Sequence, residues 1–178
     1  MKKTALVIGC NGQDGSLLCK SLLNKSYKVV GISRTRSLRS LNHEKLNIEK
    51  DVIKKRSDIC DFEKMSKYIE IYQPDEIYNM AAQSSVGKSF LNPKETTEGI
   101  INGTINLLEV SRKLDFKGRI FFAGSSEIFG NTETGADLEH RQNPISPYAI
   151  GKQASFNLVK LYRNIHNLNC MTGILFNH

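Results

Sequence analysis

Residues 5–23 read A-L-V-I-G-C-N-G-Q-D-G-S-L-L-C-K-S-L-L. An apolar run over residues 5–8 stops at Gly9, glycines recur at Gly12 and Gly15, and Leu17, Leu18, Leu22 and Leu23 then return at helical spacing. The stretch therefore predicts a strand, a glycine turn and an amphipathic helix whose four leucines share one face. Glycines at this spacing let a backbone approach a pyrophosphate, and the start of the helix adds N–H donors and the positive end of its dipole. The turn is expected to hold a dinucleotide.

The same alternation continues outward from this unit. Residues 28–32 read as a second strand, 52–57 as a weak third, 62–72 as an amphipathic helix stopped at Pro74, and 76–81 as a fourth strand. A long helix follows over 96–114, a buried strand over 119–123 (R-I-F-F-A), another long helix over 148–166 and a sixth strand over 170–176. Strands alternating with helices imply an α/β fold: a doubly wound parallel sheet with helices on both faces. Ligands of such sheets bind at the carboxyl ends of the strands. Every polar cluster of interest lies at one of those ends. The polar residues 131–147 read as an active-site loop. No linker divides the chain, so residues 1–178 are read as one cofactor-binding domain.

Composition narrows the partners. The chain has 178 residues, 39% hydrophobic and 24% charged, and a formal charge of +7. A moderately basic surface suits a phosphorylated small molecule. The one tight basic run, Lys54, Lys55 and Arg56, reads as a solvated face, so no nucleic-acid partner is expected. The four cysteines, Cys10, Cys19, Cys60 and Cys170, form no C-x-x-C and have no histidine at metal-ligand spacing. They read as structural or incidental in a reduced, cytoplasmic chain with no metal. His43, His140 and His166 are expected at the surface. The N-terminal apolar run is shorter than the ~7–15 residues of a signal-peptide core. No stretch approaches the ~20 apolar residues of a membrane span.

Between Gly124 and Lys152 the chain reads G-S-S-E-I-F-G and later S-P-Y-A-I-G-K. Tyr148 and Lys152 stand one helical turn apart and share a face. An ammonium near a phenol favours the phenolate, so Lys152 is expected to lower the Tyr148 pKa and let it take a hydroxyl proton while hydride leaves the same carbon. Ser125 would hydrogen-bond the reacting oxygen. Glu127 is the discriminating residue, because simple carbonyl reduction needs no carboxylate. A glutamate there points to a second proton transfer, at a carbon made acidic by a neighbouring ketone. Ser126 is either structural or positions a leaving hydroxyl. Strand two ends in S-R-T-R-S rather than in an acid, so Arg34, Arg36 and Ser37 are expected to clamp a 2′-phosphate, which selects NADP. Asp58 either accepts from the adenine amino group or caps the next turn. Ser84 and Ser85 either line the cleft or cap the segment that follows.

These signatures resemble the extended short-chain dehydrogenase/reductase superfamily and, within it, the GDP-mannose 4,6-dehydratases. The resemblance rests on residues 9–16 (G-C-N-G-Q-D-G-S), 79–90 (N-M-A-A-Q-S-S-V-G-K-S-F), 124–130, 146–152 and 173–178 (G-I-L-F-N-H). It implies a Rossmann-like fold that forms the N-terminal half of a longer enzyme, with the C-terminal substrate part missing. Ser125, in place of the family's threonine, Glu127, Tyr148 and Lys152 would be catalytic. Gly9, Cys10, Asn11, Gly12, Gln13 and Asp14 would hold the pyrophosphate. Arg34, Arg36 and Ser37 would hold the 2′-phosphate, and Asp58 and Ile59 the adenine end. Met80, Ala81, Ala82, Gln83 and Ser84 would run along the NADP, with Tyr148, Lys152 and His178 near the nicotinamide. Ser84, Ser85, Ser126 and Asn177 would meet the substrate. The implied enzyme is an NADP-dependent nucleotide-sugar dehydratase, a lyase that makes GDP-4-keto-6-deoxymannose from GDP-mannose as a homodimer or homotetramer. The competing expectations are a 4-epimerase or 4-ketoreductase of the same superfamily, or a cofactor-binding fragment without turnover.

Overall fold

Strand β1 (Thr4–Ile8) is buried along its whole length, which a strand covered on both faces requires. Its side chains alternate between two cores. Leu6 and Ile8 pack with Val30, Ile32, Met65, Ile77, Leu107 and Ile120 on one face of the sheet, while Ala5 and Val7 pack with Cys19, Leu22, Val29 and Val52 on the other. The computed structural model describes residues 2–35, 39–82 and 85–176.

The remaining elements are α1 (Gln13–Asn24), β2 (Lys28–Ser33), α2 (Leu41–Lys45), β3 (Ile53–Arg56), α3 (Phe62–Tyr72), β4 (Glu76–Asn79), α4 (Val86–Leu91), α5 (Pro93–Lys113), β5 (Arg119–Ala123), a 3-10 turn (Ser126–Phe129), α6 (Pro147–His166) and β6 (Cys170–Gly173). The six strands form one sheet in the order β3-β2-β1-β4-β5-β6, and each neighbouring pair is parallel. The order reverses between β1 and β4, and this switch point opens a crevice at the carboxyl ends of the strands. The doubly wound expectation holds: α1 covers the β1–β2 side, and α3, α5 and α6 pack over the opposite face.

Several local readings change. Helix α1 starts at Gln13, and its buried residues are Gly15, Ser16, Cys19 and Leu22; Leu17 is 51% exposed and does not share the face of the other leucines. Two short helices, α2 and α4, went unread, because five or six residues are too few to show a 3.6-residue period. Strands β4 and β6 end two and three residues earlier than expected. Lys54 does not belong to a solvated face. Its side chain is 8% exposed and ion-paired to Glu49, because alternation along β3 turns it inward. His43 is fully buried rather than at the surface: its ring Nε2 bonds the Cys10 carbonyl at 2.8 Å, which lets the imidazole leave water. Among the described residues no helix is long and apolar enough to cross a membrane.

The two α1 and α5 positions separate surface from core. Leu17→Lys is expected to shift the urea unfolding free energy by less than about 0.5 kcal/mol. Leu107→Ala, at a position fully buried in the main core, is expected to cost about 2–5 kcal/mol.

Candidate functional site

The glycine turn is built by two close approaches. Gly9 adopts φ +85, and a β-carbon there would stand 2.8 Å from the Ala81 nitrogen, so the end of β1 is pressed against the chain leaving β4. A β-carbon on Gly15 would stand 2.2 Å from the Gly9 carbonyl oxygen, so α1 begins directly against the turn. The N-cap of α1, Gly12, supplies no side-chain hydrogen bond to the first turn. A helix start uncapped by its own side chain, with Gly12, Gln13, Asp14 and Gly15 lining a cavity, is a cradle for an anion.

Two cavities meet over this turn and share Gly12, Met80 and Ala82. One, of about 420 Å³, runs toward β2 and β3 between Gly9, Asn11, Arg34, Asp58, Ile59 and Ala81. The other, of about 300 Å³, runs from Gln13 and Asp14 to Ser125, Tyr148 and Lys152. The elongated pair suits a dinucleotide with its pyrophosphate over α1 and its two ends in the two arms.

The second arm holds the reactive groups. Ser125 caps the 3-10 turn, its Oγ accepting from the Glu127 amide at 3.2 Å. Ser146 caps α6 by accepting from the Ala149 amide, and Pro147 at the first helical position fixes where Tyr148 and Lys152 emerge. Lys152 is 7% exposed; its Nζ donates to the Ala123 carbonyl at 2.7 Å and lies 5.6 Å from the centre of the Tyr148 ring. Burial pulls the Lys152 ammonium down to about 8. Tyr148 departs from expectation. Its pKa is raised, chiefly by burial; the hydrogen bond with Ser125 lowers it and the Glu127 charge raises it further. Desolvation outweighs the help of a lysine whose hydrogen bond goes to the main chain.

The other expected site residues fall into three groups. Cys10 lines neither cavity; its side chain is buried and burial pushes its thiol up to about 11. Asp58 lines the first arm, and its Oδ1 accepts from the Cys60 amide at 2.9 Å, so it caps the turn while facing the arm. Ser85 lines neither arm and caps α4, accepting from the Lys88 amide at 3.2 Å. Ser126 and Glu127 are half-buried beside the second arm rather than on the lining of either cavity. Arg36, Ser37, Gln83, Ser84, Asn177 and His178 lie outside the described residues. Ser33, Thr35, Ser57, Cys60, Glu95, Thr96 and Gly99 line the first arm without having been singled out. For Glu95 and Thr96 the signal was available: Pro93 followed by an acid marks a helix start ahead of residue 96.

A family model, curated proteins and solved structures all match this chain. The family model described as GDP-mannose 4,6 dehydratase matches residues 6–178. GDP-mannose 4,6 dehydratase 1 of Arabidopsis thaliana is 37% identical over 188 residues, covering 99% of this chain and 52% of the relative. The GDP-mannose 4,6-dehydratase of Vibrio cholerae serotype O1 is 38% identical over 191 residues, covering 99% and 50%. The chain thus spans about half the length of the curated relatives it matches. A solved UDP-glucose 4-epimerase of Thermus thermophilus, in complex with NAD, superposes with a TM-score of 0.85 at 26% identity, covering 95% of this chain and 53% of that one.

Burial of Lys152 has a sign that can be measured. Its pKa in the fold, about 8, lies below the 10.5 of the unfolded chain, so at this group the unfolded chain binds more protons between those values. The Lys152 contribution to stability therefore rises with pH across that window, opposed above about pH 9 by the buried Cys10 and Cys19 thiols, whose pKa values burial raises. Lys152→Met is expected to remove this contribution, raising stability by roughly 2 kcal/mol at pH 7 and by less at pH 10, read as the difference between variant and wild-type urea midpoints at each pH.

Proposed function

This chain belongs to the GDP-mannose 4,6 dehydratase family, and from that premise we propose that it is the cofactor-binding part of an NADP-dependent dehydratase acting on GDP-mannose. The observation that carries the reading is the convergence of Ser125, Tyr148 and Lys152 in one cavity that is continuous with the glycine turn, with Glu127 beside Tyr148. Residues 1–178 form the cofactor domain in this reading, and the protein works in the cytoplasm.

The residues present fit a nicotinamide dinucleotide. The start of α1 and the glycines would hold the pyrophosphate, Asp58 and Ile59 the adenine end, and Met80, Ala81 and Ala82 the length between. Strand β2 ends in Ser33 and Arg34 with no acid to accept from a ribose 2′-hydroxyl, and Arg34 lines the first arm. That favours NADP over NAD. Arg34→Glu is therefore expected to weaken NADP binding at least about tenfold while changing NAD binding less, measured by calorimetry with each cofactor.

When held by these residues, NADP would supply a reversible acceptor for the hydride lost at C4 of the hexose and regained at C6, so that no net reductant would be consumed. The chain's own groups move the protons. Ionised Tyr148, the minor form in this fold, accepts the C4 hydroxyl proton, with Ser125 hydrogen-bonded to both the phenol and the reacting oxygen. The resulting 4-ketone acidifies C5; Glu127 removes that proton and gives it to the C6 hydroxyl, which leaves as water, and Tyr148 returns its proton to C5 as hydride reaches C6. Lys152 holds the Ala123 carbonyl and orients the α6 face that carries Tyr148. Exposed apolar side chains on α6, among them Ile150, Leu161 and Ile165, support assembly into a dimer or tetramer.

The test is mass spectrometry of GDP-mannose incubated with NADP+ and the longest expressed form of the protein. The reading expects loss of one water and no net NADPH. An unchanged mass with altered stereochemistry would establish an epimerase instead. Glu127→Gln is expected to slow water loss by about 10²–10⁴-fold while transient NADPH absorbance at C4 oxidation persists.

A further inference from the structure

Helix α2 is only five residues long, yet two adjacent side chains on it hold two adjacent carbonyls of the glycine turn. Asn42 Nδ2 donates to the Asn11 carbonyl at 3.0 Å, and His43 Nε2 lies 2.8 Å from the Cys10 carbonyl. The acceptor is a carbonyl, so Nε2 carries the proton and the ring is a donor here. His43 is fully buried and lines neither cavity, whereas Gly9, Asn11 and Gly12 do line the first arm. The bond therefore holds the Cys10 carbonyl on the protein side of the turn, away from the cleft. A carbonyl oxygen swung toward the cleft would face phosphate oxygens of the same partial charge, while one held back leaves the turn's amides to the front.

The arrangement is not what an indifferent core would select. The other ring nitrogen, Nδ1, is buried with no hydrogen-bond partner among the described residues. An unpaired buried acceptor is unfavourable, and an apolar side chain would fill this space without it. The surroundings also keep the ring uncharged. Burial is the main cause that holds the imidazole pKa below its ordinary range; the bond to the Cys10 carbonyl opposes this, Lys54 on β3 lowers the pKa further and Glu49, in the segment before β3, raises it. Glu44 on α2 itself pairs with Arg39.

We propose that His43, assisted by Asn42, is a positioning residue for the pyrophosphate turn: it pins the Cys10 carbonyl behind the turn so that the backbone amides are presented to the cofactor. The inference rests on residues 9–14 being the pyrophosphate turn. It assigns to α2, a piece of the β2–β3 crossover, a part in cofactor affinity that the position of α2 outside the cleft conceals.

The test uses two variants and two readouts. His43→Leu removes the donor and His43→Gln keeps an N–H at similar reach. By calorimetry, His43→Leu is expected to weaken NADP binding about five- to tenfold, the worth of one hydrogen bond, and His43→Gln to restore most of it. Hydrogen exchange without cofactor is expected to show faster exchange in His43→Leu confined to residues 9–15, and near-normal exchange in His43→Gln. Equal NADP affinity in wild type and His43→Leu would overturn the proposal. So would exchange that accelerates equally in β5 and β6, since His43 would then be only a core residue. Should the wild type bind no nicotinamide dinucleotide, the functional reading fails, and the exchange pattern alone decides whether His43 holds the turn.

Discussion

The site depends on one backbone approach. Strand β1 pairs with both β2 and β4, and at its carboxyl end the Ile8 carbonyl accepts the Met80 amide at 2.9 Å while the Gly9 and Cys10 amides turn to the Ile32 carbonyl. That leaves Gly9 against the backbone of Ala81 with no room for a side chain. From this contact the rest follows. The chain reverses over three residues into α1, Met80 and Ala82 come to line both arms of the cleft, and β5, paired with β4, delivers Ser125 to the same rim. A side chain at Gly9 would separate β1 from the start of the β4 loop and divide the cleft where its arms join.

What could be read from the sequence was whatever a short segment determines by itself. Residues 62–72 and 119–123 coincide with α3 and β5, because each is a run whose period or apolar content needs no distant partner. The placing of Tyr148 and Lys152 on one face followed from helix geometry alone. What escaped was set by partners far along the chain. Leu17 was grouped with its neighbours because leucines carry the hydrophobic signal, whereas α1 turns Gly15 and Ser16 inward to meet the turn, and small residues carry no such signal. His43 is buried because of a carbonyl 33 positions earlier. Ser85 offered two readings of equal weight, and the Lys88 amide within its reach settles its hydroxyl as a cap.

The same distinction explains the misjudged phenol. Spacing places an amine near Tyr148, but whether the amine lowers the phenol's pKa depends on how much water both have lost. Here the cover over α6 and β5 desolvates both groups, driving Lys152 down and Tyr148 up, each toward its neutral form. A standing phenolate is therefore not the resting state of this site. The Glu127 charge pushes Tyr148 in the same direction, and only the Ser125 hydrogen bond opposes it.

That balance bears on how two acid–base groups so close together keep separate roles. Two groups competing for one negative charge in a desolvated space cannot both hold it, and the environment decides which does. Burial and the neighbouring Glu127 both favour the neutral phenol, so Tyr148 keeps its proton at rest. The rim then divides between a phenol that holds its proton and a glutamate on the turn that follows β5. Serine at position 125 contributes to both sides of this division. Its Oγ takes the Glu127 amide at the start of the 3-10 turn and also meets the phenol, so a single hydroxyl touches both segments. The arrangement thus lies in how β5 ends: one capped turn sets a serine and a glutamate at the rim to which α6 brings Tyr148.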